Sequence, residues 1–179
     1  KLPPYELYRC YMDWIDEEAK SIQDVSSGEL LFSELMVTPK VTKDYRGEWI
    51  ELYNTSNEKI NLRGLKVSDG KNAIVIGSPI VIFPESYVVL AVRDNPIKNG
   101  MITEVDAIYS SQGFQLGLKG TLTLSNNDDV IDSITYDVRA DKMAFMGKSI
   151  SFDKDSSSSI WCPSTSVYGS GDHGTPKQA

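Results

Sequence analysis

Gly47-Glu48-Trp49-Ile50-Glu51-Leu52-Tyr53-Asn54 is the stretch whose reading decides the fold. Its side chains alternate along an extended chain. Glu48, Ile50, Leu52 and Asn54 fall on one face, and Trp49, Glu51 and Tyr53 on the other. β-branched and aromatic residues at a period of two mark a strand with a buried side. Ile50 and Leu52 are the expected core pair. Trp49 and Tyr53 are expected to cover the opposite face while their polar tips find partners. Asn54, at the strand end, is placed to bond its side chain to the turning backbone.

The same period runs outward from this segment. Strands are predicted near 29–37, 60–68, 73–76, 79–83, 87–93, 104–109, 114–118, 121–125, 129–136 and 148–152. Asp69-Gly70 and Asn99-Gly100 have the composition of tight hairpin turns, which demand a positive φ. Pro84-Glu85-Ser86 and Ser125-Asn126-Asn127-Asp128 read as turn clusters. Many short strands about ten residues apart predict an antiparallel sandwich or barrel.

Residues 3–24 read differently. Pro3 and Pro4 suit a helix start. Tyr5, Tyr8, Tyr11, Met12, Ile15, Ala19 and Ile22 share one helical face about 120° wide, the width of a stripe that packs on a core. Leu7, Cys10 and Trp14 form a narrower apolar strip on its flank. Ser26, Ser27 and Gly28 break the pattern. The chain thus divides into an N-terminal amphipathic helix and linker over 1–28 and a β-sandwich over 29–179. The stretch 160–179 shows neither period; carrying Trp161 and Tyr168, it is expected to wrap onto the body.

Composition narrows the class. The chain has 179 residues, a hydrophobic fraction of 40% and a charged fraction of 24%, as in a soluble globular domain. A chain of this length buries roughly 70% of the surface its unfolded form exposes, enough for a core without metal or a disulfide lattice. No run approaches the ~20 apolar residues of a membrane span. The net charge is −7, and the eighteen Lys and Arg are scattered singly. That balance argues against nucleic acid and anionic membrane as main partners. Lys1 in place of Met reads as the start of a mature or cut form, with any signal peptide or lipid anchor upstream.

Several stretches, in order, resemble the lamin tail domain family. They are Leu31-Phe32-Ser33-Glu34-Leu35-Met36 followed by Pro39, the segment 47–54, Ile60-Asn61-Leu62-Arg63-Gly64-Leu65-Lys66-Val67-Ser68-Asp69, and Ile82-Phe83-Pro84-Glu85-Ser86-Tyr87-Val88-Val89-Leu90-Ala91. Val130-Ile131-Asp132-Ser133-Ile134-Thr135-Tyr136 resembles a late strand. Gly147-Lys148-Ser149-Ile150-Ser151-Phe152, Trp161-Cys162, Tyr168-Gly169, Gly171-Asp172 and Gly174-Thr175-Pro176 resemble the closing motif of the bacterial branch. The resemblance spans 29–176. Ser86 and Leu65 depart from it, standing where glycine and tryptophan are common, and so does the region around residues 117–120. It implies an immunoglobulin-like antiparallel β-sandwich. The matching structural positions are Glu34, Gly47, Glu48, Trp49, Ile50, Glu51, Tyr53, Asn54, Asp132, Tyr136, Trp161, Gly171, Asp172, Gly174 and Pro176.

No catalytic set is expected. His173 is the one histidine and sits among glycines, a poor place for a residue held between nucleophile and acid. Gly169-Ser170-Gly171 has the wrong spacing for a nucleophile elbow. Glu48 and Glu51 point to opposite faces, and Glu34 on the preceding strand could neighbour either; a buried, hydrogen-bonded Glu34 is the expectation. Asp128, Asp129, Asp153 and Asp155 are calcium candidates in oxygen-rich loops that lack the EF-hand pattern. Cys10 and Cys162 are candidates for one disulfide, which would staple helix and tail to the sandwich.

The resemblance implies a non-enzymatic binding or structural module of a secreted or surface-attached bacterial protein. Its place would be extracellular, at the cell surface or periplasmic, and its partner a protein or cell-surface component. Recognition on a sandwich falls to loops and sheet edges. Segments 38–47, 94–103 and 137–147 are expected to carry it, with Tyr45, Arg46, Asn95, Arg139 and Met143 exposed. The alternatives are a metal-dependent hydrolase and a calcium-dependent adhesion domain.

Overall fold

A computed structural model of the chain describes residues 19–42, 44–109, 113–127, 129–139, 141–152 and 161–178. In chain order the described strands are β1 (Lys20–Ser21), β2 (Leu30–Met36), β3 (Trp49–Asn54), β4 (Ile60–Asn61), β5 (Lys66–Ser68), β6 (Ala73–Val75), β7 (Val81–Ile82) and β8 (Tyr87–Ala91). Then come β9 (Ala107–Ile108), β10 (Lys119–Asn126), β11 (Asp129–Asp137), β12 (Ile150–Phe152), β13 (Trp161–Pro163), β14 (Val167–Tyr168) and β15 (Asp172–His173). Single-turn helices α1 (Asp44–Gly47), α2 (Pro96–Asn99) and α3 (Lys142–Phe145) sit in the connections.

Two sheets make the sandwich. The larger has the order β13-β12-β2-β3-β8-β9 and the smaller β11-β10-β5-β6; a three-stranded β1-β4-β7 and a ribbon β14-β15 complete the body. The main core draws on both sheets: Phe32, Leu35, Ile50, Leu52, Val88, Leu90 and Ile150 from one, Val67, Ile74, Leu122, Leu124 and Ile134 from the other. Ile50 and Leu52 are fully buried as alternation requires, each stabilising the fold by about 1.5–3 kcal/mol. Asn54 is fully buried at the end of β3. Its amide donates to Glu58 O at 2.8 Å and Phe83 O at 3.1 Å, and its Oδ1 accepts from Ser56 N at 2.9 Å.

A bulge in β2 sets the geometry. The β2–β3 register slips between Phe32 and Glu34, so Ser33 is an extra residue. Phe32 N–H donates to Asp132 Oδ2 at 2.9 Å, and Gly28 N–H donates to Ile131 O at 3.0 Å. The two bonds tie β2 and the turn before it to β11 across the sandwich. Burial raises the Asp132 carboxyl above its ordinary value, against the two backbone N–H groups that hold it down.

Several elements differ from the pattern reading. Residues 3–18 of the expected helix lie outside the described residues. Over 20–24 the chain forms β1, parallel to β4, and then a 3₁₀ turn over Ile22–Asp24 capped by the Ser21 side chain. Ile22 fits a helical stripe equally well from that turn, but its burial is in the main core. The expected strand 60–68 is two, with the backbone turning at Arg63-Gly64 between them. Asp69-Gly70 lies in a four-residue connection, where Asp69 Oδ1 accepts from Lys71 N at 2.8 Å and Asn72 N at 2.6 Å. Asn99-Gly100 closes a helix: Gly100, at φ 88, caps α2 in the left-handed conformation that glycine adopts without a Cβ clash. No strand forms over 114–118, because Leu116 N–H donates to Glu48 Oε2 at 2.9 Å instead of to a neighbouring strand.

Tyr109 is fully buried edge-on to Phe114, with ring centroids 5.7 Å apart, and its hydroxyl has no hydrogen-bond partner among the described residues. Burial, and behind it the charge of Glu48, pushes the phenol well above its ordinary value. An unpaired buried hydroxyl costs about 1–3 kcal/mol. Tyr109→Phe is therefore expected to raise stability by about 1 kcal/mol, seen as a higher urea midpoint at unchanged slope; a lower midpoint refutes it.

Candidate functional site

The outer face of the larger sheet, away from the main core, gathers the polar residues. Glu34 stands directly opposite Glu51 in the β2–β3 register, and both are buried. Like charges facing each other across strands repel. Here the C-terminal tail supplies donors to both. Glu34 Oε1 accepts from the Ser149 hydroxyl, from Ser164 Oγ at 3.0 Å and from Thr175 N at 3.0 Å, while its Oε2 accepts from Thr175 Oγ1 at 2.8 Å. Glu51 accepts from Ser33 Oγ at 2.7 Å and from Lys177 N at 2.6 Å. Lys177 takes a positive φ of 62 and places its ammonium 2.8 Å from Asp106, whose other oxygen accepts from Val89 N at 2.7 Å. The arrangement is a clasp: carboxylates projecting from the sheet hold the backbone of the closing segment.

The expected structural positions converge on this clasp. Trp49 is fully buried in a second, smaller cluster with Met36, Val89, Ala91 and Ile102. Its Nε1 donates to Tyr168 Oη at 3.0 Å, and the two rings meet edge to face at 6.0 Å. Burial raises the Tyr168 phenol, with the Trp49 bond working the other way. Asp172 is buried and accepts from Lys40 N at 3.0 Å and Val41 N at 3.2 Å; burial still leaves its carboxyl above its ordinary value. Gly174 packs beside Trp49 and Ser149, while Gly171 lies in the turn from β14 to β15. Pro176 is half-buried between the clasping residues Thr175 and Lys177. At Gly47 a Cβ would stand 2.8 Å from Pro39 Cβ and closer still to Thr42 Oγ1, so any side chain there displaces the loop. Tyr136 Oη donates to Gly117 O at 2.9 Å, and burial raises that phenol too. Trp161 packs on Phe152, centroids 5.4 Å apart. Tyr53 stacks on Tyr87 at 4.7 Å.

Other candidates do not converge. Asp129 is exposed at the start of β11, while Asp128, Asp153 and Asp155 lie outside the described residues. Asn126, in the same turn, is buried and donates to Ile22 O at 3.1 Å and Val25 O at 3.3 Å, latching the N-terminal turn. Among the described residues no group of three or more His, Cys, Asp and Glu is placed to hold an ion. Cys162 is an exposed thiol on β13; Cys10 lies outside the described residues. His173 is half-buried, its backbone N–H donating to Gly147 O at 2.8 Å. Glu51 was separable from Glu48 by parity alone, while the placement of Glu34 beside Glu51 depends on the bulge at Ser33. The joint grip of Glu34 and Glu51 on Thr175 and Lys177 was not legible, since backbone donors leave no sequence signal.

The three long connections meet at one end of the sandwich. Thr38 Oγ1 donates to Phe145 O at 2.7 Å, Gly147 N donates to Thr38 O at 2.7 Å, and Ser170 N donates to Gly100 O at 3.3 Å. Ile97 is 86% exposed there and Met143 78% exposed, with Val41, Met101 and Met146 also exposed. Asn95 and Arg139 are exposed as expected, Asn95 capping α2 and Arg139 held by Asp137 at 2.6 Å. The Arg139 ion pair and hydrogen bonds draw the Asp137 carboxyl down to about 2. Arg46 is half-buried, and the Tyr45 side chain lies outside what is described.

Two packed sheets, antiparallel but for the edge strand β9, a single aliphatic core between them and a closing segment strapped to the outer face define an immunoglobulin-like all-β domain. Residues 23–137 match the family described as Lamin Tail Domain, and the chain belongs to that family. The match ends at 137, yet the segment beyond it adds β12 and β13 to the same sheet and closes the clasp. No curated protein matches the chain. No helix among the described residues is long and apolar enough to cross a membrane.

Proposed function

We propose that the chain is a non-enzymatic binding module of a secreted or surface-attached bacterial protein, and that it engages a protein or cell-surface component through the loop end. The observation that carries this is the contrast between the sheets and the loops. One face of the larger sheet is taken by the core and the other by the clasp, whereas the loop end presents Ile97, Met101 and Met143 to solvent. Exposed apolar side chains gathered on loops of a rigid scaffold favour recognition. Carboxylates already holding hydroxyl and amide donors are poorly placed for proton abstraction, which supports the non-enzymatic reading.

The test uses the full chain carrying a fluorescent label and intact cells of the producing bacterium. The chain is expected to bind saturably, and the Ile97→Asp/Met143→Asp variant to lose at least about tenfold in affinity, equivalent to ~1.4 kcal/mol, at an unchanged melting temperature. Equal binding by the variant removes the loop end from the proposal. A rise in melting temperature on adding Ca²⁺, Mg²⁺ or Mn²⁺ overturns the metal-free reading, since only a bound ion stabilises the folded state in that way.

A further inference from the structure

We infer that the loop end seats the domain on an anionic lipid surface, with Ile97 and Met143 entering the headgroup layer and the lysines around them paired to lipid phosphates. This rests on the loop end being the recognition face, as proposed above, and specifies what that face recognises.

The charge balance of the whole chain counts against such a partner, but the fold divides that charge. Segments 38–47, 93–103 and 137–148 hold eight of the eighteen Lys and Arg and four of the twenty-five Asp and Glu. They carry a net +4 within a chain of −7, so the remainder carries −11. The fold brings the three segments together. Thr38 bonds both Phe145 and Gly147, and Gly100 lies against Thr42, where an added Cβ would stand 3.8 Å from the Thr42 methyl. Lys40, Lys98 and Arg139 are exposed at this end, and Lys148 is half-buried. Among the described residues Lys40, Lys98 and Lys148 enter no ion pair, whereas Arg139 is held by Asp137. Glu48 and Asp172 are buried and present no charge to the surface.

The opposite end has the other sign. Asp24, Glu58, Glu85 and Asp129 are exposed around the turns that Asn54 and Asn126 latch, and Lys20 there is paired with Glu29. A domain charged in this way turns its basic end towards an anionic surface.

The apolar tips select lipid over other polyanions. Ile97 on α2 is 86% exposed and Met143 on α3 78% exposed, and Met101 is held outward at a positive φ of 71. Aliphatic and thioether side chains among lysines suit the boundary between headgroups and acyl chains. Single-stranded nucleic acid is met by cations with aromatic rings for stacking, and none of the exposed large hydrophobic residues described at this end is aromatic.

The probe is phosphatidylcholine vesicles with and without about 30% phosphatidylglycerol, mixed with the full chain and sedimented. The chain is expected to sediment with the anionic vesicles only, and to be released as salt rises from about 0.05 to 0.5 M, where the screening length shortens. Lys40→Gln/Lys98→Gln is expected to weaken partition by about tenfold or more. Lys59→Gln, which removes a cation from the acidic end, is expected to bind as the parent chain does. Ile97→Ser/Met143→Ser removes the tips without altering charge and is expected to weaken partition by about tenfold with the salt dependence kept. The four side chains replaced at the loop end are exposed, so an unchanged melting temperature checks that the fold is intact. Equal partition onto both kinds of vesicle, unchanged partition of either double variant, or an equal loss in Lys59→Gln overturns the inference. So does binding to a DNA duplex by a chain that ignores the anionic vesicles. If cells are bound and vesicles are not, the lipid assignment fails while the loop end stands as the recognition face; if neither is bound, both fail.

Discussion

Replacing Glu34 with alanine is expected to lower stability by about 3–5 kcal/mol, the range for stripping one partner from a buried charged network. The side chain collects Ser149, Ser164 and both donors of Thr175 onto two oxygens with almost no exposure. Alanine takes the acceptor from both Thr175 donors, leaves Ser149 and Ser164 only their weaker alternatives in His173 O and Ser151 Oγ, and opens a void beneath the tail. The loss should also be local before it is global. Hydrogen exchange at the Thr175 and Lys177 amides is expected to rise further than exchange in β3 or β10. Urea unfolding read by circular dichroism, with exchange followed by mass spectrometry, measures both. A change below about 1 kcal/mol, or uniform exchange, rules out the clasp as a structural latch.

Trp49→Ala carries a comparable cost for a different reason. Truncating a fully buried Trp removes its apolar contacts and leaves a cavity, typically about 3–5 kcal/mol. Here Met36, Val89, Ala91 and Ile102 lose their common neighbour, and Tyr168 loses both its edge-to-face contact and its hydrogen bond. Tyr168→Phe separates the two contributions. It keeps the ring and deletes the hydroxyl, so it is expected to cost only about 1 kcal/mol. If Tyr168→Phe were as damaging as Trp49→Ala, the bond and not the packing would hold the smaller cluster together.

The strands were legible wherever a half-buried face forced alternation. Segment 47–54 is the plainest case: Ile50 and Leu52 point into the core and Trp49 points out, as the period requires. Alternation failed where backbone geometry decides. Residues 60–68 read as one run because Gly64 gives no hydropathy signal for the turn it makes. Asn99-Gly100 has the composition of a hairpin turn and of a helix cap alike; Pro96 and the Asn95 side chain select the cap. Ser33 was invisible as a bulge, yet it determines that Glu34 stands opposite Glu51 on the outer face and not opposite Ile50 on the core face. The clasp was the least legible part, because Thr175 and Lys177 bind through main-chain N–H groups that every residue but proline possesses.

The bond between Glu34 and Thr175 joins positions 141 residues apart in sequence. On a ribosome the first half of such a contact waits for nearly the whole domain to be made. Until then two acidic side chains and an indole stand on a surface that has nothing to cover it. Synthesis therefore exposes the nascent protein to misassociation until Thr175 and Lys177 have been made, and closure is slow relative to domains built from local contacts.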